Sequence, residues 1–152
     1  MTDPYDQTER EPHYTICPDC GEDLQWHECG ASPSERTLRI RELNDAARKR
    51  LANGAISSVI GSFGNELVIT RGVEARGWDF IARALAAVRD FSDFTTANDP
   101  YGEHDFGVFE LDGVKLNWKI DCYDRALQYG SPDPGDAEKT RRVLTILLAE
   151  EY

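Results

Sequence analysis

No stretch of this 152-residue chain is long and apolar enough to cross a bilayer. Its longest apolar run, Val143 to Ala149, is interrupted by Thr145 and falls far short of the ~20 residues a spanning helix needs. The amino terminus, MTDPYDQTEREPHY, lacks both the basic region and the apolar stretch of a secretory signal. The protein is therefore expected in the cytoplasm, with no membrane partner. A second C-x-x-C pair is missing as well, and no internal repeat or low-complexity tract occurs. Positive charge is scarce: 17 lysines and arginines face 28 aspartates and glutamates, a net −11. A field of that sign repels phosphate backbones and attracts basic partners, so direct nucleic-acid binding through the whole surface is disfavoured.

What is present suits one ordinary globular domain. Apolar residues make up 40% and charged ones 30%, which excludes a disordered or membrane chain, and this length is enough for a single core. The charge is uneven. Six basic residues, Arg36, Arg39, Arg41, Arg48, Lys49 and Arg50, crowd between Ser34 and Ala52, whereas eleven acids face only Lys115, Lys119 and Arg125 between Asp90 and Asp136. The plain reading is two differently charged solvated faces.

Residues 1 to 15 are polar and proline-interrupted, which predicts a tail, and residues 16 to 30 hold a cysteine knuckle. The expected organisation is thus a tail and knuckle over 1–34 and one α+β domain over 35–152. Ser34 can cap a helix over about 35 to 52, in which Ile40, Leu43, Ala47 and Leu51 recur at helical spacing before Asn53-Gly54. ISSVIGSFGNELVIT reads as two strands around a glycine turn. Trp78, Ile81, Leu85 and Val88 predict a helix over about 76 to 90. Asp112-Gly113 between Phe106–Leu111 and Val114–Tyr123 predicts a second hairpin. Alternating β-branched residues favour a strand over about 142 to 149, although leucine and alanine leave a helix open. The fold class is therefore α+β, an antiparallel sheet of hairpins packed against two helices. Trp78 and Trp118 are expected in the core, and Cys122 as a buried small hydrophobe.

Three of the four cysteines fall within thirteen residues, which in a reducing compartment points to metal before disulfide. Cys17-Pro18-Asp19-Cys20-Gly21 places two thiolates two residues apart, and His27 and Cys29 would project to one side of an extended segment. Zinc takes four such ligands as a tetrahedron. The expected set is Cys17, Cys20, His27 and Cys29, with His13 as the substitute fourth ligand; a site shared by two chains of a homodimer is another arrangement. Four protein ligands leave no position for water, so the Zn2+ would be structural.

The segment NDPYGEHDFG gathers Asp99, Glu103, His104 and Asp105 within seven residues. Such a cluster can hold a ligand or a second metal ion, and a carboxylate can orient His104 as a general base. The same residue types also form turns by bonding their own backbone. Lys119, Asp121 and Asp124 of WKIDCYD would approach this loop if the strands pair, yet the spacing fits a metal-dependent nuclease poorly.

RIRELNDAARK, LVITRGV, FSDFTTANDPYGEHDFGVFEL, WKIDCYD, GSPDP and TRRVLTILLAEEY together resemble a small bacterial family of domains of unknown function, over about residues 38 to 152. The zinc knuckle lies outside that core and looks like an N-terminal extension, and Ile56 to Glu66 looks like an insertion. The resemblance implies a cytoplasmic bacterial protein often carried on plasmids, phages or other mobile elements, and implies no activity.

The leading functional expectation is a non-enzymatic acidic protein, with an acidic surface presented by the second half of the chain and a zinc-pinned N-terminus, that binds a basic or nucleic-acid-handling host protein. An inhibitor of host defence, of the anti-CRISPR or antirestriction kind and acting as a nucleic-acid mimic, would fit both the charge and the gene setting. The alternatives are a metal-dependent hydrolase using the acidic loop and a zinc-knuckle DNA-binding regulator. In the regulator, Arg36, Arg39, Arg48, Lys49 and Arg50 would meet the nucleic acid.

Overall fold

The computed structural model describes residues 34–57 and 66–152. Helix α1 spans Glu35–Ser57. Its start follows from Ser34, whose hydroxyl oxygen accepts the Thr37 N–H at 3.1 Å, satisfying one of the donors that a helix N-terminus leaves free. The helix runs past Asn53-Gly54, five residues beyond the expected end, so the turn pair does not stop it. Strand β1 is Leu67–Ile69, a short helix α2 is Arg71–Glu74, and helix α3 is Trp78–Asp90. Strands β2 (Phe106–Leu111), β3 (Val114–Tyr123) and β4 (Arg141–Leu148) complete the sheet, and a 3-10 turn, Ala149–Glu151, closes the chain.

The order across the sheet is β1-β4-β3-β2. β2 and β3 form the expected hairpin, and both turn residues, Asp112 (φ 54) and Gly113 (φ 76), are left-handed as a two-residue primed turn demands. β3 pairs antiparallel with β4, Trp118 opposite Ile146. β1, however, pairs parallel with β4, Leu67 opposite Leu144. The expectation of an antiparallel sheet of hairpins on two helices is therefore corrected, among the described residues, to a mixed four-stranded sheet with three α-helices. Within ISSVIGSFGNELVIT, Ile56 and Ser57 belong to α1, the segment 58–65 lies outside the described residues, and Leu67–Ile69 finds its partner in the C-terminal strand.

One face of the sheet supplies Leu116, Trp118, Ile120, Leu144, Ile146 and Leu148 to the core. Against them pack Leu51 and Ala52 of α1 and Phe80, Ile81, Ala84, Leu85 and Val88 of α3. Alternation along β3 and β4 dictates which side chains face inward. Leu144 is fully buried, and its truncation to alanine would cost about 2–5 kcal/mol. Trp118 is likewise fully buried, whereas Trp78 is 49% exposed, contrary to its expected core role. The buried stripe of α3 is centred on Phe80, Ala84 and Val88, which leaves Trp78 at its margin in the first turn. No helix among the described residues is long and apolar enough to cross a membrane.

Candidate functional site

Helix spacing places Arg41, Asn44, Asp45 and Arg48 on one polar stripe of α1, and each of the four reaches another part of the chain. The Arg41 Nε donates to the Gly102 carbonyl at 2.6 Å, and the Asn44 Nδ2 donates to the Glu103 carbonyl at 2.9 Å. Asp45 Oδ2 lies 3.0 Å from His104 Nδ1, while Asp45 Oδ1 accepts from Arg48 Nη2 at 2.9 Å. Arg48 Nη1 in turn faces the carbonyls of Val88, Arg89 and Phe91 at the end of α3, where helical carbonyls lack intrahelical donors. Its guanidinium also lies over the rings of Phe94 and Trp118, at 5.6 and 5.2 Å. Arg48 thus ties α1 to the end of α3, and His104 ties α1 to the acidic loop.

The loop itself is closed by its own side chains. Asn98 accepts the Thr95 N–H and donates to the Asp93 carbonyl, each at 2.8 Å. Asp99, 8% exposed, accepts the N–H groups of Glu103 and His104 at 2.9 and 3.1 Å through one oxygen. Its other oxygen lies 3.8 Å from His104 Nε2. Gly102 (φ 67) and His104 (φ 54) both take left-handed backbone, and a side chain on Gly102 would meet Arg41 Nη2 at 2.7 Å. The His104 ring lies flat on Phe94 with 3.6 Å between centroids.

Of the four loop residues singled out in the sequence, Asp99 and His104 are therefore brought together, with Asp45 as an added carboxylate that the loop sequence does not contain. Glu103 and Asp105 make no ion pair among the described residues. Burial raises the carboxyl of Glu103, and the charges of Asp105 and Asp99 push the same way. Burial also raises Asp105, with Asp99 and Asp121 adding to it. Lys119 pairs with Asp121 at 2.7 Å on the sheet rather than with the loop. The Cys122 thiol is half-buried against the core and raised by burial, which disfavours the nucleophilic thiolate. Among the described residues no group of three or more His, Cys, Asp and Glu side chains is arranged to hold a metal ion.

An open cleft of about 480 Å³ borders this site, lined by Asp45, Arg48, Lys49, Ser92, Phe94 and His104 among others. Both ring nitrogens of His104 face carboxylates and one ring face is covered by Phe94. General-base chemistry requires a ring nitrogen aimed at substrate, so this geometry fits a clasp better than a base.

The basic residues of α1 separate. Arg36, Arg39, Lys49 and Arg50 are exposed; Arg36 pairs with Asp133 at 2.9 Å, Arg39 with Glu42 at 3.4 Å and Arg50 with Glu66 at 3.0 Å. Arg48 is 2% exposed, so it is withdrawn from any surface that a phosphate could meet. Cys17, Cys20, His27, Cys29 and the substitute His13 lie outside the described residues. Reading the loop alone misses Arg41, Asn44, Asp45 and Phe94. The available signal is the polar stripe 41, 44, 45, 48 running beside the apolar stripe of α1.

A family model described as Protein of unknown function (DUF3768) matches residues 69–151, more than half of the chain. The chain belongs to the DUF3768 family. The DUF3768 match contains NDPYGEHDFG, WKIDCYD and all of VLTILLAEEY except the final Tyr152, the blocks that carry the resemblance read from the sequence, and it runs from the end of β1 through the 3-10 turn. The polar stripe of α1 lies before the residues matched to DUF3768. No match was found among curated proteins or solved structures.

Proposed function

We propose that the protein is a non-enzymatic binding protein whose partner is a basic, nucleic-acid-handling protein. More narrowly, we read it as an inhibitor of host defence of the anti-CRISPR or antirestriction kind, working as a nucleic-acid mimic. Internal satisfaction of the acidic loop supports the non-enzymatic part, because Asp99 and His104 are bonded within the chain rather than aimed at a reactant.

The distribution of charge carries the partner reading. Residues 34 to 152 hold sixteen basic against twenty acidic side chains, whereas the first 33 residues hold eight acids and Arg10 alone. Many carboxylates of the described residues face arginines, as Asp79 and Asp112 both face Arg83 at 3.0 and 2.8 Å. The acidic loop turns inward and contributes little to a mimic surface. Most of the net −11 therefore belongs to the N-terminal segment, and that segment is where a basic partner would be steered. The same proposal gives Cys17, Cys20, His27 and Cys29 a structural Zn2+, with no ligand position left for chemistry.

Affinity capture with the full chain from a natural host tests this reading. The captured protein should handle nucleic acid, and its association should weaken as salt rises from about 0.05 to about 0.5 M. Exchanging Asp3, Asp6, Glu9 and Glu11 for their amides should weaken it too. Capture of proteins that never meet nucleic acid, or an association indifferent to salt and to those exchanges, contradicts the proposal. One observation favours a DNA-binding alternative, namely that Arg36, Arg39, Lys49 and Arg50 are exposed on α1. A gel shift at low salt would separate the two, because a mimic gives none.

A further inference from the structure

A second cleft, about 250 Å³, opens between α1 and the start of β4. Its floor is apolar, from Leu43, Ala46 and Ala47 on one face of α1, and its walls carry four arginines, Arg50, Arg125, Arg141 and Arg142, against one carboxylate, Glu66. In a chain of net −11 this is a local excess of positive charge. Glu66 is shared, lying 3.0 Å from Arg50 and 3.3 Å from Arg141. Arg125 is exposed and enters no ion pair among the described residues.

Arg142 is the informative member. It is 7% exposed, and its Nε donates to Asn44 Oδ1 at 2.7 Å while Nη2 donates to the Pro134 carbonyl. No carboxylate lies within ion-pair distance of it among the described residues. Burial lowers its pKa and the charge of Arg39 adds to this, while the charges of Cys122 and Glu103 act against it. A buried guanidinium whose hydrogen bonds go to neutral dipoles, with no carboxylate paired to it, has only part of the countercharge that normally offsets its desolvation. An anion seated in the cleft would supply the rest.

We propose that this cleft binds a small phosphorylated ligand, with phosphate oxygens on Arg125 and Arg141, the buried positive charge of Arg142 behind them, and the remaining atoms on Leu43, Ala46 and Ala47. Arginine's planar fork matches phosphate geometry. The volume is below the roughly 300–1,000 Å³ of pockets for drug-sized ligands, which favours a ligand of sugar-phosphate size. The shared chemistry admits free phosphate or a phosphate ester. The site is independent of the N-terminal acids that carry the partner reading.

Calorimetric titration of the full chain with inorganic phosphate, ribose 5-phosphate and ribose tests this. Ribose 5-phosphate should saturate one site per chain and ribose should not bind; phosphate binding as tightly as the ester would assign the site to the free ion. Arg125→Gln, at an exposed position and so compatible with folding, should weaken binding roughly tenfold or more. Arg83→Gln, on α3 and remote from the cleft, should leave it unchanged. The proposal is overturned if neither phosphate saturates, or if Arg125→Gln binds like the parent. A short DNA duplex that binds in an Arg125-dependent way while both small phosphates fail would overturn it equally, in favour of a nucleic-acid surface.

Discussion

His104 Nδ1 lies 3.0 Å from Asp45 Oδ2, across 59 residues of sequence, and this contact joins the acidic loop to the first helix. Around it the same stripe of α1 holds two loop carbonyls and, through Arg48, the end of α3. The site is thus a junction of three segments. Its polar groups position backbone, which is a structural task that a sequence motif of acids and histidine also suits.

Arg48 carries the most contacts of this junction. Replacing it with methionine keeps the bulk over Trp118 but removes the side-chain donor that Arg48 gives to the carbonyls of Val88, Arg89 and Phe91, and the cation beside Asp45. A loss of about 3 kcal/mol or more is expected in urea denaturation. Arg48→Lys should recover only part of it, since a single ammonium cannot reproduce the fork.

Gly102 is held at φ 67 with Arg41 Nη2 where a methyl group would sit. Gly102→Ala should therefore destabilise by about 1–3 kcal/mol. Gly113→Ala meets the same left-handed backbone penalty with open space around it, so it should cost less. Equal effects would remove the close approach of Arg41 as a cause.

Much of this architecture was legible in the sequence, and the failures have physical causes. Ser34, Asp112-Gly113 and the β-branched run of β4 are local signals, and each stands where its chemistry placed it. Leu67–Ile69 offers the same alternation to a hairpin partner or to a parallel neighbour, so sequence could not show that it joins β4, about 77 residues away. The period of α3 marks a helix, but Trp78 shows that the edge of an apolar stripe is set by what packs against it. The acidic loop was visible as a cluster, while its partners on α1 were hidden because a polar stripe on a helix normally reads as a solvated face.

Glu103 and Asp105 give a pH dependence of definite sign. Both carboxyls are raised in the folded state, by burial first and by neighbouring carboxylates second. The stability they contribute is fully present below the ordinary carboxylate range, near pH 4, and is lost as pH rises through their raised values. Glu103→Gln with Asp105→Asn should flatten that part of the stability profile and make the protein more stable at neutral pH. An unchanged profile would contradict the assigned environments.

The zinc assignment is checked by metal analysis of the purified full chain. About one zinc per chain is expected, lost in Cys20→Ser and retained in His13→Ala. Loss in His13→Ala with retention in His27→Ala would make His13 the fourth ligand. A protein free of metal would refute the knuckle.

The most direct test of the junction is a double-mutant cycle between Asp45 and His104, measured by urea denaturation of Asp45→Asn, His104→Ala and the double variant. A favourable coupling of about 1 kcal/mol or more is expected for a partly buried, hydrogen-bonded pair. Strict additivity would contradict a loop whose histidine serves to fasten it to α1.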